Sequence, residues 1–212
     1  MVIGITINNI IRDHISQLKK AYTLLTEEDC LEPINPYDLE SSFPNRVSTE
    51  IVQEFDVTKE SAEDLPLNEV NEEFNVYEFM YHEASFEIFG RSEETIDGIV
   101  RKLKDYEKKL KVKIVLVNKE SPRSKCATLF FLSKNGFDFD TISFPKDDKG
   151  YWDNVDVLIT DNPKILKKKP KGKTSIKVNN DFNLDIKSDF TIIDLNDFKN
   201  LKKIIKMIKE KV

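Results

Sequence analysis

Short apolar runs, each followed by a stretch of helical spacing, constrain the fold of this chain more than any other feature. Val2-Ile3-Gly4-Ile5-Thr6-Ile7 carries the signature of a buried strand, as do Val112 to Val117 and Val155 to Ile159. Ser175 to Val178 and Phe190 to Ile193 read as further strands, and Thr141 to Phe144 as a short one. Asp13 through Leu25 places Ile15, Leu18, Tyr22 and Leu25 on one helical face, with Lys19 and Lys20 outside. Ser124 to Asn135 predicts a helix with Ala127, Phe130, Phe131 and Leu132 inward and Gly136 as its stop. Pro163 suits the first turn of a short helix with Asn162 as N-cap. Asn196 is expected to cap a last helix that carries Phe198, Leu201, Ile204, Ile205 and Ile208. Strands that alternate with helices predict a doubly wound, mostly parallel α/β sheet of Rossmann-like type, covered on both faces.

The middle of the chain has a different character. Between Cys30 and Asn75 the basic residues are Arg46 and Lys59, set among twelve carboxylates. Asn35-Pro36, Phe43-Pro44 and Leu65-Pro66 bias this stretch toward irregular structure, with a short helix expected around Ser48 to Phe55. Val76 to Gly90 then carries Tyr77, Phe79, Tyr81, Phe86 and Phe89, the composition of a packed core or an interface anchor. Ser92-Glu93-Glu94 predicts a helix start, a hydroxyl cap followed by carboxylates at the positive end of the dipole. Ile96, Ile99, Val100, Leu103 and Leu110 supply that helix with an apolar stripe, and Lys108 to Lys111 suit its end. The division expected from these shifts is an α/β core over 1–25 and 112–212, interrupted by an inserted acidic segment and cap over 26–111.

Composition excludes several classes. At 39% hydrophobic and 33% charged residues, the 212-residue chain falls in the globular range and is long enough to bury a real core. Its two cysteines, Cys30 and Cys126, have no partner at metal or redox spacing, which predicts free thiols in a reducing compartment. No apolar run approaches the ~18 residues of a membrane span. The first residues enter a strand pattern with no basic region before them, so no signal peptide is expected. Lysine dominates from Lys164 onward, and the Lys164 to Lys173 stretch is one place where nucleic acid would bind. Without interleaved aromatic residues, a solvated helix and loop surface is the favoured reading, and nucleic acid is not expected as a partner. His14 and His82 sit beside Asp13 and Glu83 with no Cys or Ser nearby in sequence, and are expected to be solvated.

In doubly wound sheets the chemistry lies just beyond the carboxyl ends of the strands. Those positions hold Thr6, Asn8 and Asn9, then Asn118-Lys119-Glu120, then Thr160-Asp161-Asn162-Pro163. Ile3 to Asp13 resembles the first motif of the haloacid dehalogenase-like phosphatase superfamily, an apolar strand ending in Asp-x-Asp. Val155 to Pro163 resembles the fourth, an apolar strand ending in paired aspartates. Asn118 falls where the second motif has Ser or Thr, and Lys146 or Lys149 where the third has a lysine. The resemblance covers residues 1–15 and 112–200, and implies that the segment between is the cap.

The resemblance also implies which positions should carry catalysis, and these are altered. Thr6 stands at the nucleophile, Asn8 at the general acid/base, Asn118 at the phosphate-binding hydroxyl and Thr160 at one metal-binding acid; Asp161, with Lys149 as the candidate lysine, is what survives. An amide cannot shuttle a proton, and a threonine with no adjacent base is a weak nucleophile. Hard cations need carboxylates, so no metal and no cofactor are expected. The chain is therefore expected to be an inactive pseudo-enzyme. Its role would be that of a structural or protein-interaction component in a larger assembly of multiple copies. Phe86-Glu87-Ile88-Phe89-Gly90 resembles a cap motif of degenerate domains in tailed phages, which implies the virion, or otherwise the cytoplasm, as the location. One alternative is a magnesium-dependent phosphatase or nucleotidase that uses Asp153, Asp156 and Asp161; another is a nucleic-acid module using Lys164 to Lys173.

Overall fold

The computed structural model describes residues 1–27, 29–43, 75–137 and 142–211. The helix expected around Ser48 to Phe55 and the turns at Pro44 and Pro66 lie outside these residues. The strands are β1 (Val2–Thr6), β2 (Arg12–Asp13), β3 (Glu93–Glu94), β4 (Lys113–Val117), β5 (Ile142–Ser143), β6 (Val157–Thr160), β7 (Thr174–Val178) and β8 (Phe190–Ile192). The α-helices are α1 (His14–Thr26), α2 (Val76–Glu78), α3 (Ile99–Leu110), α4 (Pro122–Lys134), α5 (Pro163–Lys167) and α6 (Phe198–Lys211).

Six of the strands form one all-parallel sheet in the order β5-β4-β1-β6-β7-β8. The chain starts at the middle of the sheet, builds outward through β4 and β5, then returns to build the other half. That order makes the fold Rossmann-like, with its switch point between β1 and β6. Both faces are covered, as the continuous apolar runs require. Ile3, Ile5, Ile114, Leu116, Val157 and Ile159 join a core with the buried faces of α3 and α6 and with Phe131 and Leu132 of α4. Val117 and Leu158 point the other way, onto Tyr151, Trp152, Val155 and Ile165. Each fully buried Ile, Leu or Val contributes about 1.5–3 kcal/mol, so this two-sided core is the main stabilising element. Gly4 permits the tight packing on the second face: a Cβ there would lie 2.9 Å from Leu158 and Val155 side-chain carbons.

A second apolar cluster lies beside the sheet. Leu18 and Tyr22 of α1 pack against Leu39, Phe43, Phe79 and Phe89. The aromatic segment runs through α2 into two π-helical turns, Phe79–Glu83 and Phe86–Gly90. It packs on α1 and α4.

Four local expectations are corrected. Ser92-Glu93-Glu94 does not open a helix, because Glu93 and Glu94 form β3 and pair antiparallel with β2. The carboxylate of Glu94 nevertheless caps α3 from outside, accepting from the backbone N–H groups of Gly98 at 2.8 Å and Val100 at 2.7 Å. The charge complements the helix dipole as expected, but the helix starts five residues after Glu94, behind a left-handed Gly98. The cap of α6 is Asp197, whose carboxylate accepts from Asn200 N at 3.0 Å, rather than Asn196. Phe130 turns outward and packs at a tilt against the equally exposed Phe86, because Phe131 and Leu132 already fill the sheet-facing side of α4. His14 is not solvated: it is buried at the start of α1.

The lysine-rich stretch is largely engaged within the fold. Lys168 pairs with Asp148 at 2.6 Å and Lys169 with Asp189 at 2.6 Å. Lys164 and Lys173 donate to the backbone carbonyls of Tyr37 and Val155.

Candidate functional site

A cavity of about 200 Å³ opens at the carboxyl ends of β1, β4 and β6, at the switch point of the sheet. Its floor is made by Thr6, Asn8, Asn118 and Asp161, so the strand-end residues singled out in the sequence do converge. Parallel strands in register bring them together: Thr6 pairs with Val117, one residue before Asn118, and Ile5 pairs with Ile159, two residues before Asp161.

The chain leaves β1 through one tight turn. The N–H groups of Ile11 and Arg12 both bond the carbonyl of Ile7, and Asn9 takes a left-handed conformation at φ 64°. Asparagine tolerates that region better than most residues. The turn directs Arg12 inward, where its guanidinium is fully buried. It donates to Asn8 Oδ1, to Thr128 Oγ1 at 2.6 Å and to Glu120 Oε1 at 2.9 Å, and it lies 4.5 Å from the centre of the Phe89 ring. Glu120 Oε1 also accepts from Asn118 Nδ2 at 2.7 Å and from Thr128 Oγ1 at 2.6 Å. Burial pulls the Arg12 pKa down, and the charge of Glu120 opposes that pull. This buried hub ties β1, β4 and α4 together beneath the cavity.

On the other side, Thr6 Oγ1 donates to Thr160 Oγ1 at 3.2 Å, and Thr160 Oγ1 also accepts from Asn162 N at 3.2 Å. Asp161 is 3% exposed, and desolvation pushes its carboxyl up to about 6, while Tyr37 and Asn9 side-chain contacts pull the other way. Its backbone carbonyl accepts from Tyr37 Oη at 3.1 Å and Asn183 Nδ2 at 2.8 Å. Tyr37 is placed by the irregular segment over 29–43 and lines the cavity together with Pro36 and Leu39. Burial, helped by the charge of Asp161, raises the Tyr37 hydroxyl pKa far above its ordinary value.

His14 lines the same cavity. Desolvation, with the charge of Arg12 adding, lowers its pKa to about 3. His14 Nδ1 is buried with no hydrogen-bond partner among the described residues. Glu120 Oε2 is the other buried polar atom without one.

Several candidates fall elsewhere. Lys149 and Lys146 are exposed, and Lys149 flanks a shallow depression with Trp152, Asp153 and Lys173 rather than the cavity. The lysines that line the cavity are Lys119 and Lys164. Asp156 accepts from Val2 N at 2.7 Å, at the opposite end of the sheet from the cavity. Neither Asp153 nor Asp156 therefore joins Asp161. Among the described residues no group of three His, Cys, Asp or Glu side chains is arranged to hold a metal ion, and no helix is long and apolar enough to cross a membrane. His82 is exposed, 3.9 Å from Glu78.

No family model matches the chain, and no curated protein matches it either. The functional reading therefore rests on the cavity itself. Arg12 and His14 were missed as site residues by reasoning from strand ends. Their only local signal was an arginine set directly after the apolar pair Ile10-Ile11.

Proposed function

We propose that this chain is a catalytically silent domain related in plan to the haloacid dehalogenase-like phosphatases, acting as a structural or protein-interaction component of a larger assembly. The observation that carries the reading is the state of the two strand-end positions after β1. Thr6 is bonded to Thr160, and the Asn8 carbonyl oxygen is held by Arg12, so neither offers a free base or an activated nucleophile. The placement of β1 and β6 side by side at the sheet centre, with β4 on the other flank of β1, supports the relation to that family. Asp161 stands alone as a cavity carboxylate apart from Asp148, which is paired with Lys168. A role in a phage particle is the most concrete form of the proposal and is supported by the sequence resemblance.

Purified protein given p-nitrophenyl phosphate or nucleoside monophosphates with magnesium should show no turnover above background. The Thr6→Asp variant should remain silent as well, since groups that act as a unit are lost as a unit. Magnesium-dependent hydrolysis that disappears in Asp161→Asn would establish the phosphatase reading instead.

A further inference from the structure

We infer that the outer face of the α3 and α6 pair is a docking surface for the phosphate backbone of duplex nucleic acid, bound without regard to base sequence. The two helices lie side by side and run in the same direction. Lys102, in the first turn of α3, donates to Asn196 Oδ1 at 3.4 Å, just ahead of α6. Lys209, in the last turn of α6, donates to the carbonyl of Leu110 at 2.7 Å, at the end of α3. Both helices turn their apolar side to the same core, through Val100, Leu103 and Leu110 of α3 and Leu201, Ile204 and Ile208 of α6. What remains for solvent is mostly basic. Over 99–111 and 198–210 stand eleven lysines and arginines against three acids, in a chain whose net charge is −5, so positive charge is concentrated on this face. One of the three acids, Glu107, is turned to the backbone and accepts from Ile114 N at 2.6 Å. Another, Glu210, lies 3.8 Å from Lys206. Asp194 and Asp197 sit at the start of α6 and accept backbone N–H groups there.

The arrangement of the charges selects the partner. Arg101, Lys104 and Lys108 form one exposed row along α3, and Lys199, Lys202, Lys203 and Lys206 a second along α6. The helical rise makes each row about 10 Å long, and packed helix axes lie about 8–10 Å apart. A duplex carries a phosphate every ~3.4 Å on each strand, so each row spans about three phosphates and the two rows can meet two strands. A single strand offers one row and is held largely by stacking on aromatic rings. This face offers no free ring: Tyr106 is buried, and Phe198 is half-buried between Tyr106 at 4.5 Å and Lys109 at 5.8 Å. An anionic membrane holds a helix through apolar side chains sunk into it, and among the described residues of these helices Met207 is the one exposed large hydrophobic. Lysine ammonium groups are point charges without the fork that reads base edges, which makes the contact one to phosphate rather than to sequence. The Lys164 to Lys173 stretch is a different surface, where Lys168 and Lys169 are already paired with carboxylates.

None of these residues lines the cavity, so the inference stands apart from the silent-site reading and fails separately from it. The test is fluorescence anisotropy of the whole protein with two unrelated DNA duplexes of about 30 base pairs, from 50 to 200 mM NaCl. A single strand of the same length and phosphatidylserine vesicles are titrated beside them. The two duplexes should bind within about twofold of each other, and about tenfold or more tighter than the single strand or the vesicles. With about five phosphates neutralised, affinity should fall several hundredfold across that salt range. The triple variant Lys108→Gln, Lys202→Gln, Lys203→Gln should bind at least about thirtyfold more weakly at 50 mM NaCl, with a salt slope shallower by about three. The variant Lys167→Gln, Lys171→Gln, Lys187→Gln makes the same change in net charge elsewhere on the surface and should alter affinity less than about threefold. All six side chains are exposed, so both variants should keep the parent's melting temperature. No duplex binding at 50 mM NaCl, equal loss in the two triple variants, or vesicles or single strand bound as tightly as duplex would overturn the inference. So would low-salt self-association without duplex binding that the first triple variant abolishes, which would assign the face to an acidic protein segment.

Discussion

The two walls of the cavity solve the same problem differently. Both bury polar groups at the ends of parallel strands. The wall under β4 and α4 buries a full ion pair, Arg12 with Glu120, each side chain wholly shielded from solvent and braced by Asn8, Asn118 and Thr128. The wall at β1 and β6 buries hydroxyls, Thr6 on Thr160, beside a single acid, Asp161. The first has opposite charges that compensate each other, and the second has one charge with only hydrogen bonds to stabilise it. Charge in this molecule is thus held rigidly where it supports the fold and left uncompensated where the cavity opens. The first wall should govern stability and the second should respond to solution conditions.

That contrast is open to direct attack. The largest effect is expected for Arg12→Met, which leaves Glu120 buried without its partner and should cost about 3–5 kcal/mol in urea unfolding. The double variant Arg12→Met with Glu120→Leu should recover most of that loss. Equal losses in single and double variants would mean that packing against Phe89 and Phe131, rather than charge, makes the wall rigid.

The next effect concerns Asp161 and pH. Its folded pKa of about 6 lies above the ordinary value of 3.8, so the folded state holds the extra proton between those values. Its contribution is therefore most favourable below about pH 4, falls as pH rises toward 6, and is unfavourable above that. Asp161→Asn should be more stable than the parent at pH 7 by on the order of 1–3 kcal/mol, with the gap closing below about pH 4. His14 titrates with the opposite sign, losing stability as pH falls from its ordinary 6.5 toward 3, but it is common to both proteins and cancels in the difference. A stability gap independent of pH would place the Asp161 carboxyl in contact with solvent.

The smallest effect is expected for Thr6→Val. Thr160 Oγ1 keeps its bond from Asn162 N, and the 3.2 Å hydroxyl contact is long, so the change should cost less than about 1 kcal/mol. A loss of several kcal/mol would show that the second wall is as tightly coupled as the first.

Much of the site was legible in the sequence. Thr6, Asn8, Asn118 and Asp161 follow apolar runs, and a parallel sheet must bring the ends of adjacent strands together. Lys149 was misplaced because no periodic signal fixes where an irregular connection runs, and it follows a stretch, 144–149, without regular structure. Glu93 and Glu94 carried a helix-start composition, but pairing with β2 across some eighty residues of chain overrode local propensity. Asn162 and Pro163 were read correctly because capping is local: the Asn162 side chain accepts from the N–H groups of Lys164 and Ile165, two and three residues on.

The sequence by itself determined the parallel α/β class, the helix-forming faces and the absence of acids at Thr6 and Asn8, since each is a property of residue type and short-range periodicity. Tertiary structure alone decided that Arg12 and His14 are buried, that Glu120 is the partner of Arg12, and that Tyr37 reaches back across the chain to Asp161. Those outcomes depend on which distant segments share a low-dielectric interior. Burial also sets whether a titratable side chain is a solvated surface charge or a neutral group in the interior.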